Sequence, residues 1–112
     1  CEMRAEPAVR RLALRVLEVR HPSPERVLIR LEMPAAKRLR FRSGQQLDVR
    51  FGDGSCRRYA IVSSPDDEQV LEFEVPRASR EPQSDYLYDG VQRGETLRIE
   101  GPHDPFRTSL AA

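Results

Sequence analysis

The sequence is poor in the residues that staple small domains or bind metals. It holds two cysteines, Cys1 and Cys56, and two histidines, His21 and His103. Two cysteines make no disulfide framework. There is no CxxC pair, no HExxH and no histidine cluster, so no metal-binding pattern is present. Each histidine stands beside a proline and reads as a loop residue. Apolar runs are only a few residues long, too short to span a bilayer. The opening Cys1-Glu2-Met3-Arg4 lacks the apolar core of a secretory signal. With few cysteines and no signal, a cytoplasmic setting is expected. A Gly-rich phosphate loop is also missing, so no nucleotide-binding domain of the Gly-rich-loop type is expected within these residues. The absent initiator methionine leads to the expectation that the chain is a piece of a longer protein.

What is present fits one globular domain. The 112 residues are 38% hydrophobic and 33% charged, which predicts a thin core under a wet surface. The net charge of +1 hides an asymmetry, since residues 1–60 carry 14 Lys and Arg against 7 Asp and Glu, and residues 61–112 carry 5 against 11. A basic half can mark a nucleic-acid surface. The arginines alternate with apolar residues instead of clustering, so pairing with acids on neighbouring strands is the favoured explanation.

Strand patterns dominate. In Val9–Val19, Leu12, Leu14 and Val16 are spaced by two, and then Leu17 and Val19 continue on the opposite phase, as a bulged strand would give. A helix is the alternative there, because Leu, Ala, Arg and Glu are good helix formers. His21-Pro22-Ser23-Pro24 reads as a break. Val27, Ile29, Leu31 and Met33 share one face of a second strand, ended by Pro34. Residues 35–44 form an arginine-laced loop. Leu47–Phe51 and Arg58–Val62 alternate around Asp53-Gly54, a strong hairpin signal. Val70–Val75 is a fifth strand with Leu71, Phe73 and Val75 inward. A short helix is expected over Ser84–Gly90, with an N-cap candidate at one end and Gly at the other. Glu95–Glu100 is a sixth strand, ended by Gly101-Pro102. The predicted class is all-β: six antiparallel strands closed into a barrel, with one short helix.

Two segments can carry chemistry. In Arg57-Arg58-Tyr59-Ala60-Ile61-Val62-Ser63-Ser64-Pro65, a strand puts Arg57 and Tyr59 on one face. Arg57 offers a forked contact to phosphate and Tyr59 a ring for a planar ligand. In Glu81-Pro82-Gln83-Ser84, the start of the expected helix suits an anion. Taken singly, Arg57 pairing with an acid, Tyr59 as an ordinary strand residue and Ser84 as a cap are the better readings. Order and spacing change that. Phe41-x-x-Gly44-Gln45, Arg57-x-Tyr59-Ala60, Val75-Pro76-Arg77, Glu81-x-x-Ser84 and Gly101-Pro102-x-x-x-Phe106 follow one another over residues 9–107.

That series resembles the flavin-binding domain of the ferredoxin–NADP reductase superfamily, especially the reductase components of bacterial oxygenases. The resemblance implies a Greek-key barrel with a capping helix, binding FAD or, as the alternative, FMN. It implies that Arg57 holds the flavin phosphate and Tyr59 packs beside the isoalloxazine or ribityl chain. Ala60 and Ile61 follow in the same motif, Val75 and Arg77 lie toward the ribityl or adenosine side, and Gln83 and Ser84 hold the pyrophosphate. It divides the chain into a tail (1–8), the barrel (9–107) and a tail (108–112) leading toward a nucleotide-binding domain that uses NAD(P)H. Cys1-Glu2-Met3-Arg4-Ala5 resembles the surroundings of a last [2Fe–2S] ligand, which makes Cys1 a candidate cluster ligand of a preceding ferredoxin domain. The implied partners are that domain, the nucleotide-binding domain and an oxygenase; no nucleic acid or membrane is implied. Two departures stand out. Ala60 replaces the family's Ser or Thr, whose hydroxyl reaches the flavin N5, and Glu81-Pro82 replaces a glycine that lets the backbone approach the pyrophosphate. The competing expectation is therefore a barrel that has lost its flavin and serves as a protein-binding platform.

Overall fold

The computed structural model describes residues 9–76 and 86–104. Six strands make up the fold: β1 (Arg10–Ser23), β2 (Arg26–Glu32), β3 (Gln46–Arg50), β4 (Cys56–Ile61), β5 (Val70–Pro76) and β6 (Thr96–His103). They close into an antiparallel barrel in the order β1-β2-β5-β4-β3-β6. Strands β3, β4 and β5 are consecutive neighbours and β6 returns beside β3, which is the Greek-key connection. The fold is the one the sequence predicts.

Alternation builds the core. On β2, Val27, Ile29 and Leu31 are fully buried, and on β5 so are Leu71, Phe73 and Val75. The register sets them opposite one another as Val27↔Val75, Ile29↔Phe73 and Leu31↔Leu71. Burying each such side chain contributes about 1.5–3 kcal/mol, so one face of every strand is committed to the interior.

The phase slip in β1 is a bulge. Val16 pairs with Leu31 but Glu18 pairs with Arg30, so Leu17 is the extra residue. Here the strand changes partner: Arg10–Arg15 pair with β6, and residues from Val16 onward pair with β2. The helical alternative for this segment does not occur.

Two expected breaks are not breaks. β1 runs on through Pro22 to Ser23, and β6 runs on through Pro102 to His103. Both prolines sit at register shifts, one between Arg20 and Ser23 and one where Gln46↔His103 is followed by Asp48↔Glu100. A bulge leaves a residue outside the ladder, so a missing N–H costs nothing there. His21 and His103 are accordingly strand residues and not loop residues.

Smaller features follow local chemistry. The Asp53 carboxylate accepts from the Ser55 N–H at 2.9 Å and hydroxyl at 2.6 Å, and Gly54 takes φ of +91°, so the β3–β4 turn forms where Asp-Gly predicts it. Residues Ala35–Lys37 make one 3-10 turn within the expected loop. Where a short helix is expected, the described part is a single π-helical turn, Tyr86–Gly90.

Gly101 lies against β3. A Cβ there would stand 3.3 Å from the Gln46 carbonyl oxygen and 3.3 Å from the Leu47 Cα, both backbone atoms that cannot rotate away. Gly101→Val is expected to destabilise the barrel by about 1–3 kcal/mol through overpacking. Urea unfolding checks this, and an unchanged midpoint would show that the β3–β6 seam is looser than the packing implies.

Candidate functional site

The barrel wall is not equally knit. β3 and β4 share five residue pairs, whereas β4 and β5 pair only at Ala60↔Glu74 and Ile61↔Phe73. Toward the start of β4 from Ala60 the two strands share no further pairs among the described residues, so the start of β4 and the end of β5 leave an opening in the ladder. At the same end lie Arg26 of β2, Arg50 of β3, Thr96 of β6 and the β3–β4 turn.

The predicted residues that are described lie along this opening. Arg57 is half-buried on the barrel-facing phase of β4, and its guanidinium donates to the Cys56 carbonyl at 2.9 Å. Tyr59, two residues on, is buried, with its ring 5.8 Å from that of Phe73 and tilted by 30°. Its ring is thus braced by Phe73 on the facing strand. Ala60 is exposed on the outer face, Ile61 is buried, and Val75 is fully buried on the facing strand. Arg77, Gln83 and Ser84 lie outside the described residues, as do Cys1, Glu81 and Pro82. The structure therefore brings Arg57, Tyr59, Ala60, Ile61 and Val75 to one seam.

The Phe41-x-x-Gly44-Gln45 motif serves that seam from the opposite end. Phe41 and Gln45 are buried. The Gln45 side chain accepts from the Arg42 N–H at 2.7 Å, and its carbonyl accepts from the Ile61 N–H at 3.1 Å. Gly44, at φ +91°, supplies the turn. The motif fixes where β4 ends.

A clamp that the sequence did not disclose caps the open end. His21 Nε2 lies 3.0 Å from the Tyr88 carbonyl oxygen, the two rings meet edge-on at 5.3 Å, and the Tyr88 hydroxyl donates to the Pro24 carbonyl at 2.6 Å. These contacts tie the Tyr86–Gly90 turn to the β1–β2 corner across more than sixty residues of sequence, and no local pattern announces so distant a pair.

The charge asymmetry resolves on the outer wall. Arg20 pairs with Glu72 at 3.2 Å, Arg26 with Glu74 at 3.1 Å and Arg38 with Glu68 at 2.7 Å. Arginines of the basic half thus meet acids of the acidic half. Exposed pairs of this kind contribute up to about 1 kcal/mol each, so they set register more than stability. Among the described residues, no group of three or more His, Cys, Asp and Glu side chains could hold a metal ion.

The Tyr86 hydroxyl donates to the Glu95 carboxylate. That bond, assisted by burial and by the carboxylate's charge, pushes the phenol up to about 12. The pKa is raised in the folded state, so the bond's contribution is complete below the ordinary value of about 10 and is lost as pH climbs toward 12. The difference in ultraviolet titration between the protein and its Tyr86→Phe variant is expected to show this late ionisation, and Glu95→Gln is expected to return it toward 10. An ordinary titration in the unaltered protein would remove the Tyr86–Glu95 bond from the account.

A family model described as an oxidoreductase FAD-binding domain matches residues 13–107. The aromatic O-demethylase reductase subunit of Amycolatopsis sp. (strain ATCC 39116 / 75iv2) is 32% identical over 102 residues, covering 88% of this chain and 29% of that protein. The terephthalate 1,2-dioxygenase reductase component 1 of Comamonas sp. is 29% identical over 100 residues, covering 88% of this chain and 30% of that protein. A crystal structure of an Amycolatopsis cytochrome P450 reductase superposes with a TM-score of 0.78 at 28% identity, over 92% of this chain and 31% of that one. Phthalate dioxygenase reductase, at 21% identity and a TM-score of 0.73, shares the fold over 84% of this chain and 30% of its own. The chain thus spans less than a third of the length of each of these relatives.

Proposed function

The chain belongs to the oxidoreductase FAD-binding domain family, and from that premise we propose that it is the flavin-carrying barrel of a longer NAD(P)H-dependent reductase serving an oxygenase. The observation that carries the reading is the opening between β4 and β5, with Arg57 at its rim and the barrel wall closed elsewhere by longer ladders.

The residues present fit a flavin. Arg57 supplies a guanidinium for its phosphate, the group best shaped for forked recognition. Tyr59, fixed by Phe73, stiffens the strand beside the ring system, and Ile61 anchors that strand in the core. In this reading Val75 and Arg77 are assigned to the ribityl or adenosine side, and Gln83 and Ser84 to the pyrophosphate. Ala60 presents a methyl on the outer face where relatives of the superfamily place a hydroxyl, so the protein offers no side-chain donor at that point. Bound FAD would supply the chemistry that protein side chains lack, accepting a hydride from NAD(P)H and releasing single electrons. Everything this chain does is binding, orientation and electrostatics.

The acceptor in this proposal is a [2Fe–2S] centre, with Cys1 as a ligand in a preceding ferredoxin domain and an oxygenase beyond it. A cytoplasmic setting accords with the cysteine content. Among the described residues no helix is long and apolar enough to cross a membrane. A nucleic-acid barrel is disfavoured, because the wall arginines that would meet phosphates already pair with Glu and Asp. Ala60 favours a second reading, a barrel that has lost flavin and binds protein instead.

Titration with FAD and with FMN, followed by flavin fluorescence, separates the two. One flavin is expected to bind saturably, and Arg57→Ala is expected to weaken it by about 1–3 kcal/mol, the range for losing a charged hydrogen bond. Equal affinity in a folded Arg57→Ala variant would sink the assignment of Arg57. Absence of binding by either flavin would leave the platform reading in its place.

A further inference from the structure

The outer wall has two faces of opposite charge balance. On the face built by β2, β5 and the second half of β1, rows alternate in sign, as in Glu18↔Arg30↔Glu72, and glutamates outnumber arginines. The other face is built by the first half of β1 with β6, β3 and β4. Among the described residues it turns outward five arginines, Arg11, Arg15, Arg50, Arg58 and Arg98, beside two acids, Asp48 and Glu100.

Pairing on this basic face is incomplete. One row reads Arg11, Glu100, Asp48, Arg58. Its two acids face each other, but cations cover both. Arg58 grips Asp48 through two bonds of 2.8 and 3.2 Å, His103 stands 3.3 Å from Asp48, and Arg11 lies 3.7 Å from Glu100. The next row reads Ala13, Arg98, Arg50, Cys56. Two arginines are directly opposite each other there, with no acid in the row, and like charges so placed destabilise a ladder. Arg50 finds Glu100 at 3.8 Å, an acid already shared with Arg11. Arg98 is exposed and makes no ion pair among the described residues.

We propose that this face docks an acidic protein surface, with Arg98 and Arg50 at its centre. The mismatch lowers barrel stability, and a single acid at either position would remove it. A local rule broken in a wall otherwise matched marks a site kept for something outside the chain. Strands about 4.8 Å apart and rows about 7 Å apart put the five arginines on a patch roughly 15 Å across. Carboxylates of a partner accept from Arg98 and Arg50 together and cancel their repulsion. Arginine is also among the residue types that carry most of the binding energy at protein interfaces. A patch this small and this charged suits a transient contact, steered by charge and weakened by salt. A nucleic acid fits it less well. Asp48 and Glu100 lie within the patch and repel phosphates, whereas a protein surface can set cations against them. Docking here uses no flavin atom, so it holds or fails independently of the reductase reading.

The test follows amide NMR shifts of the protein at low salt, titrated with an octaglutamate peptide and with octathymidylate. The peptide is expected to shift the amides of Ala13, Arg50, Cys56 and Arg98, and to release them as salt is raised. Arg98→Glu is expected to move two quantities in opposite directions. It creates an opposite-charge pair with Arg50, so the melting temperature is expected to rise by a few degrees. It also exchanges an attraction for a repulsion, so peptide affinity is expected to fall about tenfold. Arg98→Gln, which only removes a charge, is expected to weaken the peptide by a smaller factor without lowering the melting temperature, and it decides the matter where Arg98→Glu fails to fold. A folded variant that binds the peptide as the parent does overturns the proposal, and so does a peptide that shifts none of those amides. Shifts confined to the loop around Lys37, Arg40 and Arg42 overturn it as well, since the attraction then lies elsewhere. Tighter binding of the oligonucleotide at the same amides assigns the face to nucleic acid and rejects a protein partner.

Discussion

Closure of the barrel is the constraint on which the rest of the structure depends. Once β6 has paired with both β1 and β3, no wall strand can slide by one residue without turning its apolar face outward. A closed sheet has no edge at which to absorb an irregularity. Irregularities must therefore be absorbed inside the ladder, and they are: at Leu17, at the His21-Pro22 corner and at Gly101-Pro102. Each bulge is a place where the wall bends. The first lets β1 leave β6 for β2, and the last lets β6 pass close over Leu47.

Arginine has two roles in this wall. Along the outer face it is a register device, matched across strands to Glu and Asp, and there its charge is spent on neighbours of the same chain. At the end where β4 parts from β5, Arg57 and the Arg50–Arg98 pair are set by the backbone near openings and not within a matched row. The same residue type thus stands inside or outside a matched row according to what the neighbouring strand presents. That distinction depends on pairing, which a single sequence does not display.

This explains what was legible. The strands were, because Val27, Ile29, Leu31 and Leu71, Phe73, Val75 alternate without ambiguity, and so was the bulge at Leu17, which the phase slip exposes. The ordered motifs point to the family that the comparison shows, and they single out Arg57, Tyr59 and Ala60, which lie together on β4. Prolines misled, since Pro22 and Pro102 look like stops and are tolerated only because a bulge receives them. The depth of Tyr59 was hidden, because its partner Phe73 lies on another strand. So were the Tyr88 clamp on His21 and Pro24 and the Arg50–Arg98 pair, whose members are far apart in the chain and joined only by the fold.

The seam between the first and last strands has one more implication. Arg10 lies opposite Gly101, so the polypeptide enters and leaves the barrel at neighbouring points, away from the Arg57 opening. A unit with adjacent entry and exit behaves as a cassette: it can sit within a longer chain without forcing its neighbours apart. The end where β4 parts from β5 can then be remodelled by substitution, while the Arg10–Gly101 seam keeps the same geometry.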